Sequence, residues 1–322
     1  MKVPGELVEL MLREERFTIA SHVNPEGDAI GSSIALALAL KGLNKDVRVF
    51  NTDGVPAVYG FLPSSGLVET VMDGERLKDS VLVVLDCNSL DRVGLDGAEC
   101  RRVVVIDHHQ TVTDFGDVRW IEPDSPAAGL MVYNLLRALG TRIDGDIAVN
   151  LYTAIAVDTG TFRYPNTTAE TFRAAADLVD AGADPAEVSN RLYESWSEKR
   201  FGLLVRVLQT LDIVDAGSVR CAITNVTLDM FRETGTGAAD TENFINFPRM
   251  IGSVEIAVMF REEEPGCWKV SLRSRGACDV SAVASRFGGG GHRNAAGYRA
   301  CGSLADLRRG FLEAVQVCAA AG

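Results

Sequence analysis

Four short apolar runs rich in β-branched residues lie in the first third of the chain, and they constrain the fold more than any other feature. They are FTIASHV (17–23), DVRVFN (46–51), SVLVVL (80–85) and RVVVI (102–106). Polar residues do not alternate regularly through them, so both faces of the predicted strands should be buried. Helical patterns lie between and after these runs. This order is typical of an α/β fold with a mainly parallel sheet flanked by helices.

The second half of the chain has a different order of predicted helices and strands. Helical patterns dominate from about residue 127 to 211, and strand-like runs then follow until two closing helices, near 280–286 and 304–319. A chain of 322 residues is longer than one compact core usually takes. We therefore expect a first domain over residues 1–190, a helical linker over 191–210 and a smaller α/β domain over 211–322.

Composition narrows the class of protein. The seven cysteines are dispersed, odd in number and without C-x-x-C spacing, which indicates reduced thiols and a cytoplasmic protein. The N-terminal segment lacks the uninterrupted apolar region of a signal peptide, and no apolar run approaches the roughly 20 residues of a membrane span. The net charge of −12 argues against a protein that grips long nucleic acid, which usually carries a basic face.

Acidic and imidazole side chains stand where the predicted strands end. In α/β sheets, ligands bind outside the carboxyl ends of the strands. All four histidines lie in candidate site positions: three at strand ends and the fourth, His292, in GGGGH. Asp28 is also expected to be the N-cap of the helix AIGSSIALALALKGL. The residues expected at this edge of the sheet are His22, Glu26, Asp28, Asp86, Asp107, His108, His109 and, at the end of a helix, Asp158.

Carboxylates crowded in this way repel one another unless cations neutralise them. Mixed His and Asp ligands suit Mn²⁺, Fe²⁺, Co²⁺ or Zn²⁺. Five or six such ligands exceed what one metal needs, so we expect two ions about 3.5–4 Å apart, bridged by a carboxylate and a water. Such a pair generates a hydroxide near neutral pH and stabilises an in-line displacement at phosphorus.

A second group of residues indicates phosphate binding. RSRG (273–276) and FGGGGHRNAAG (287–297) combine glycines with arginine and histidine. Glycines allow close backbone approach and positive φ, and successive N–H groups can form an anion-binding concavity. Arg273 or Arg275, together with His292, is expected to hold a phosphate through charge-assisted hydrogen bonds.

Taken in order, the motifs SHVNPEGDAIGS, VVLDCN, VVVIDHHQ, AVDTGTFRY, RSRG and GGGGHRNAAG resemble the DHH/DHHA1 phosphoesterases. Their near relatives form the nanoRNase and pAp phosphatase group. The resemblance implies two Mn²⁺ ions bridged by Asp86, Asp107 orienting His108, and His109 facing the substrate phosphate. One ion would be bound by His22, Glu26 and Asp86, and the other by Asp28, Asp86, His108 and Asp158.

The resemblance also assigns substrate contacts. The terminal phosphate or nucleotide would be held by Arg273, Ser274, Gly290, Gly291 and His292, and Arg163 in TGTFRY is a further candidate. Two positions depart from the family pattern: Glu26 stands where Asp is usual, and Leu130 in SPAAGLMVY stands where an acid is usual. A homodimer is also consistent with the resemblance.

The leading hypothesis is a cytoplasmic phosphoesterase that hydrolyses short oligoribonucleotides or 3′,5′-bisphosphonucleosides such as pAp, with the two domains closing over the substrate. Hydrolysis of a cyclic or linear dinucleotide such as di-AMP is an alternative that uses the same residues. A catalytically degraded nucleotide sensor is a third, motivated by Glu26. The chain lacks the basic stripe expected of a RecJ-like exonuclease, and GGGGH disfavours a family II pyrophosphatase.

Overall fold

The computed structural model describes residues 1–95, 99–275 and 278–320, without the side chains of His292 and Ala320. The chain divides into two compact units, residues 1–195 and 196–322. The division falls inside the segment expected to be a linker. No helix in the described ranges is long and apolar enough to cross a membrane.

Within the described part of the first unit, six strands form one parallel sheet. They are β1 (Arg16–Ala20), β2 (Asp46–Phe50), β3 (Val68–Glu69), β4 (Val81–Leu85), β5 (Arg102–Asp107) and β6 (Val118–Ile121). Their order across the sheet is β3-β2-β1-β4-β5-β6. The helices are α1 (Gly5–Arg13), α2 (Gly27–Gly42), α3 (Gly74–Lys78), α4 (Ala128–Ala138), α5 (Gly145–Asp158), α6 (Ala169–Asp180) and α7 (Pro185–Ser189).

This sheet confirms the predicted fold class. The four apolar runs become β1, β2, β4 and β5, and the short strands β3 and β6 were not predicted. Alternate strand residues face two cores. Ile19, Val83 and Ile106 pack with α2, α4 and α5 on one face, whereas Ala20 and Val84 pack towards the α3 side on the other. Strand order reverses between β1 and β4, the switch point at which open α/β sheets bind their ligands.

The helices α2 and α5 pack so closely that two glycines of α2 lie directly against α5. A Cβ added to Gly31 of α2 would lie 2.5 Å from the carbonyl oxygen of Asn150 in α5, and one added to Gly27 would lie 2.6 Å from Val157 Cγ2. Contacts this short leave no room for a side chain unless the helices move apart. The two glycines therefore hold the start of α2 directly against the end of α5.

The second unit is built on a mixed sheet. In the described residues its strands are β7 (Asp212–Ala216), β8 (Val219–Val226), β9 (Ile256–Glu264), β10 (Cys267–Ser274), β11 (Gly290–His292) and β12 (Ala295–Cys301). The order is β11-β12-β10-β9-β8-β7, antiparallel except for the parallel pair β8–β9. The helices are α8 (Glu198–Gln209), α9 (Leu228–Thr234), α10 (Asn246–Arg249), α11 (Val280–Ser285) and α12 (Leu304–Ala320).

The two faces of this second sheet differ. One face packs against α11 and α12, with Val270 and Leu272 of β10 meeting Val283 and Phe311. The other face is covered at β8 and β9 by α8 and the segment around Phe244. Along β10 and β12 the residues that point to this second face are partly buried or exposed.

One strand of this unit was not predicted, and one expectation is corrected. Gly290–His292 forms the short strand β11 and pairs with β12. The cysteines are not all reduced, because Cys267 and Cys301 form a disulfide. The antiparallel register of β10 and β12 places these two residues directly opposite each other, with Cα atoms 4.1 Å apart. Residues separated by 34 positions give no local signal of such a pairing.

Candidate metal centre

The loop between β1 and α2 carries the first candidate ligands, and the structure corrects the predicted start of α2. The N-cap of α2 is Glu26, whose side chain accepts the backbone N–H of Ala29 at 3.3 Å. Asp28 lies in the first turn instead. Glu26 also approaches His22, with its Oε2 3.1 Å from His22 Nε2.

The fully buried carboxylate of Asp28 reaches across to the start of α4. Its Oδ2 accepts the backbone N–H of Ala128 at 2.6 Å, and its Oδ1 accepts that of Gly129 at 2.7 Å. The N-cap residue of α4, Ala127, has no side-chain oxygen that could do this. Asp28 therefore caps a helix about 100 residues away, where the helix dipole also favours a negative charge.

Asp86 lies between the two predicted metal sets. It follows β4 directly, is buried, and has a left-handed backbone with φ of 52°. Its Oδ2 is 3.6 Å from His22 Nε2, and its Oδ1 is 3.3 Å from His108 Nε2. Positive φ is uncommon for a residue other than glycine and is often found at functional sites. The backbone conformation directs this carboxylate between the two imidazoles.

His108 gathers the second set of carboxylates. Its Nε2 is 3.3 Å from Asp158 Oδ2 and 3.7 Å from Asp28 Oδ2. Asp158 is the last residue of α5, so the close contact between α2 and α5 brings it to the same edge as Asp28. These ligand atoms lie within 4.8 Å of one another, as do those of the set formed by His22, Glu26 and Asp86.

The imidazole rings are oriented as metal ligands usually are. His22 Nδ1 is 2.8 Å from the carbonyl oxygen of Val23, and His108 Nδ1 is 3.0 Å from that of Ser125. A proton on Nδ1 that is donated to a carbonyl leaves Nε2 as the ligand atom, which is the arrangement that supports metal-bound histidine. In both rings Nε2 faces the carboxylates. The donor set therefore fits divalent cations.

The carboxylate of Asp107 contacts the imidazole of His109, whereas contact with the imidazole of His108 was expected. Its Oδ1 is 2.7 Å from His109 Nδ1 and accepts the backbone N–H of His108 at 2.9 Å. The imidazole of His108 is oriented by Ser125 instead, because the loop after β6 passes beside it. Asp107 thus orients His109, whose Nδ1 is also 3.8 Å from Asp86 Oδ1.

The electrostatics of the first set favour positive charge. Burial, and then the neighbouring Asp86 carboxylate, raise the pKa of Glu26 to about 7. Burial acts to lower the pKa of His22, but its contacts with Asp86 and Glu26 outweigh burial and raise it to about 11. Burial also opposes ionisation of Asp86, yet His108 and His22 hold its pKa well below the usual range.

The second set behaves in the same way. Burial raises the pKa of Asp28 well above its usual range, and the nearby Asp158 and Asp86 carboxylates add to this effect. Burial likewise raises the pKa of Asp158, and the Asp86 carboxylate raises it further. The pKa of His108 is well above its usual range despite burial, because Asp158 and Asp86 contact it. Carboxylates that retain protons in this way mark a place where a bound cation would be strongly favoured.

The predicted phosphate-binding residues of the second unit lie together at one end of its sheet. Ser274 is buried, and its hydroxyl donates to the carbonyl oxygen of Arg293 at 3.3 Å, beside the turn between β11 and β12. Arg273 pairs with Ala295 across β10 and β12. Gly290 and Gly291 are in β11. The side chain of His292 and all of Gly276 are outside the described residues.

Arg163 belongs to the first unit. It is exposed and follows a turn in which Gly160, Thr161 and Phe162 all have positive φ, between 56° and 60°. Its Nε donates to the carbonyl oxygen of Gly160 at 2.6 Å. This turn begins directly after α5, so Arg163 is five residues beyond Asp158.

Sequence reasoning missed the residues that position the ligands. The carbonyl of Ser125 and the amides of Ala128 and Gly129 act through the backbone, which residue type does not reveal. One signal was available, since α4 begins at Ala127-Ala128-Gly129 without a capping side chain. A buried helix start that lacks its own cap requires a partner from elsewhere.

The fold and this site define a divalent-metal-dependent phosphoesterase, a hydrolase of phosphate ester bonds. The family model for the DHH family N-terminal domain matches residues 16–159, and that for the DHHA1 domain matches residues 221–320. The chain belongs to the DHH family and carries a DHHA1 domain, which confirms the resemblance found in the sequence.

Named relatives cover nearly the whole chain. The bifunctional oligoribonuclease and PAP phosphatase NrnA of Thermus thermophilus is 36% identical over 302 residues, which are 92% of this chain and 87% of the relative. NrnA of Bacillus subtilis is 27% identical, with 91% of each chain covered. The crystal structure of an exopolyphosphatase-related protein from Bacteroides fragilis matches with a TM-score of 0.90 and 27% identity, over 97% of this chain and 95% of that one.

Proposed function

We propose that this protein hydrolyses short oligoribonucleotides and 3′,5′-bisphosphonucleosides such as pAp, using two Mn²⁺ ions. One observation carries the proposal: a buried cluster at the switch point of the sheet divides into two ligand sets that meet at Asp86. The similarity to relatives named as oligoribonuclease and PAP phosphatase supports the choice of substrate.

In this proposal, His22, Glu26 and Asp86 bind one ion, and Asp28, Asp86, His108 and Asp158 bind the other. When bound, such ions would supply an activated water and stabilise the negative charge on the phosphate. His109 contacts the substrate phosphate and is held in place by Asp107 through the 2.7 Å hydrogen bond. A histidine oriented in this way can neutralise the charge that develops at phosphorus.

The second unit supplies affinity for the substrate. Arg273, Ser274, Gly290, Gly291 and His292 are proposed to bind its terminal phosphate or nucleotide, and Arg163 of the first unit is proposed as a further contact. The protein as a whole carries a net charge of −12, so affinity should come from local contacts to a few nucleotides and not from a long basic track. Long nucleic acid is therefore not a proposed partner.

The test is Mn²⁺-dependent release of mononucleotide from 5′-labelled RNA of two to five nucleotides, with pAp and cyclic di-AMP in parallel. Asp86→Asn should abolish turnover of every substrate, because Asp86 joins both ligand sets. Asp79→Asn, a change to an exposed carboxylate that pairs with Arg16, is the matched control and should act like the wild type. Faster turnover of cyclic di-AMP than of RNA or pAp would refute the substrate assignment. Bound nucleotide without turnover would indicate a sensor.

A further inference from the structure

Four cationic side chains lie on the partly open face of the second sheet. Lys269 of β10 is directly opposite Arg261 of β9 on one side and Arg299 of β12 on the other. Arg273 is four residues further along β10 and therefore lies on the same face. The residues that alternate with them on β10, Trp268, Val270 and Leu272, are buried on the opposite face.

This face carries more positive charge than its own acids balance. Glu263 pairs with both Arg261 and Arg299, at 2.8 Å in each case, and so fixes two guanidinium groups with one carboxylate. Lys269 makes no ion pair among the described residues and is half-buried. The three cations Arg261, Lys269 and Arg299 outnumber this one carboxylate and leave a local excess of two positive charges in a chain of net charge −12. Like charges held together in this way are costly unless an anion binds.

The floor between the cations is made of small residues. The row between Lys269 and Arg273 contains Ser271, with Gly297 opposite it and Gly290 next to Gly297 on β11. Gly297 cannot be replaced by a larger residue without contact, since its added Cβ would lie 2.9 Å from the carbonyl oxygen of Val270. A Cβ added to Gly290 would meet nothing within 4 Å, so a ligand can lie close to the backbone at that glycine.

We propose that Lys269 and Arg299, supported by Glu263 and Arg261, form a second anion subsite that binds an inner phosphate of an oligoribonucleotide. Lys269 and Arg273 are four residues apart on one strand, so their Cα atoms are separated by roughly 13 Å. A mononucleotide bound at Arg273 does not extend over this distance, whereas an oligonucleotide does. The subsite therefore increases affinity for oligonucleotides, and pAp does not contact it. This inference rests on the proposed function, because it assigns to that function a specificity for substrate length.

The test compares Lys269→Met, Arg299→Gln and the double variant with the wild type. Arg309→Gln is the matched control, because Arg309 is an exposed arginine of α12, which packs on the opposite face of the sheet. Binding of a 5′-labelled RNA pentamer is measured by fluorescence anisotropy in EDTA, which prevents turnover, over a range of salt concentrations. For single strands each lost phosphate contact reduces the slope of log K against log salt by about 0.7. The double variant should lose about 1.4 in slope and about tenfold in affinity near 0.15 M salt.

Kinetics then separate this inference from the proposed function. In Mn²⁺, the double variant should raise KM for the pentamer about tenfold with little change in kcat, while kcat/KM for pAp changes by less than about twofold. Lys269→Arg should retain the affinity of the wild type, which shows that charge and not packing is responsible. Equal losses for pAp and pentamer, or an unchanged salt slope, would overturn the subsite. A wild type that hydrolyses neither substrate would overturn the proposed function, while the binding assay would still decide the subsite.

Discussion

Replacing Gly129 by alanine tests how Asp28, a proposed metal ligand, is held. A Cβ at this position would lie 2.6 Å from the Cβ of Ala154 in α5 and 3.2 Å from Asp28 Oδ1. The first contact is too short for either helix to accept without moving. Overpacking of this kind costs about 1–3 kcal/mol, and the higher helix propensity of alanine offsets about 1 kcal/mol at most. We expect a net loss of about 1–2 kcal/mol in the free energy of unfolding.

The assay is urea unfolding and thermal unfolding of the full chain, followed by Mn²⁺ titration of the folded variant. A loss of this size should lower the Tm of the first unit by about 2–4 °C per kcal/mol. Displacing Asp28 should also weaken metal binding by about 10–100-fold, the usual effect of disturbing a group that supports a metal site. Gly42→Ala is the control in the same unit, because its added Cβ would meet nothing within 4 Å.

A double-mutant cycle isolates the contact. Ala154→Gly removes the atom that the new methyl group would meet, so Gly129→Ala should be less destabilising in that background by about 1–2 kcal/mol. Contacting residues show coupling energies of this size, and distant ones do not. Additive effects of the two substitutions, or Gly129→Ala with wild-type stability and metal affinity, would refute the reasoning.

Three further predictions concern other parts of the molecule. Asp107→Asn should lower kcat about 10–100-fold on every substrate, because it weakens the hold on His109; unchanged kcat would show that this orientation is not needed. Mn²⁺ affinity should fall as pH falls from about 8 to about 6, because Glu26 (pKa about 7) and His22 (pKa about 11) hold protons that the metal displaces. The fall should be up to about tenfold per pH unit for each proton released. Calorimetry in buffers of different ionisation enthalpy would contradict this if it detects no released protons. Cys267→Ser should cost about 3–4 kcal/mol in oxidising buffer, since the closed loop spans 34 positions, and nothing in reductant.

The fold of the first unit was largely predictable because its longer strands are continuous apolar runs that can be recognised in the sequence. The run VLVVL is buried at every position in β4, as expected for a parallel strand covered on both faces. The edge strand β3 has only two residues, and no periodicity can be recognised over so short a length. In the second unit β11 consists of Gly290, Gly291 and His292, whose low strand propensity is overridden by pairing with β12.

The candidate site was predictable at the level of residue type and position along the strands. The carboxyl ends of parallel strands meet at one edge, so the side chains that follow β1, β4 and β5 had to converge. The contacts of individual atoms were not predictable. Asp28 caps α4 and Asp107 bonds to His109, because tertiary packing decides which donor lies within reach of each buried carboxylate.

The glycine contact between α2 and α5 bears on how the choice of metal ion can change over evolutionary time. Asp28 stands at the start of α2 and Asp158 at the end of α5, so the spacing of these two helices sets the spacing of the two carboxylates. Mg²⁺ requires near-ideal octahedral geometry at short distances, whereas larger ions accept looser arrangements. Enlarging Gly31 would move the helices apart by a fraction of an ångström and favour a larger ion without altering any ligand. Selectivity for ionic radius is thus open to change at a residue that never touches the metal.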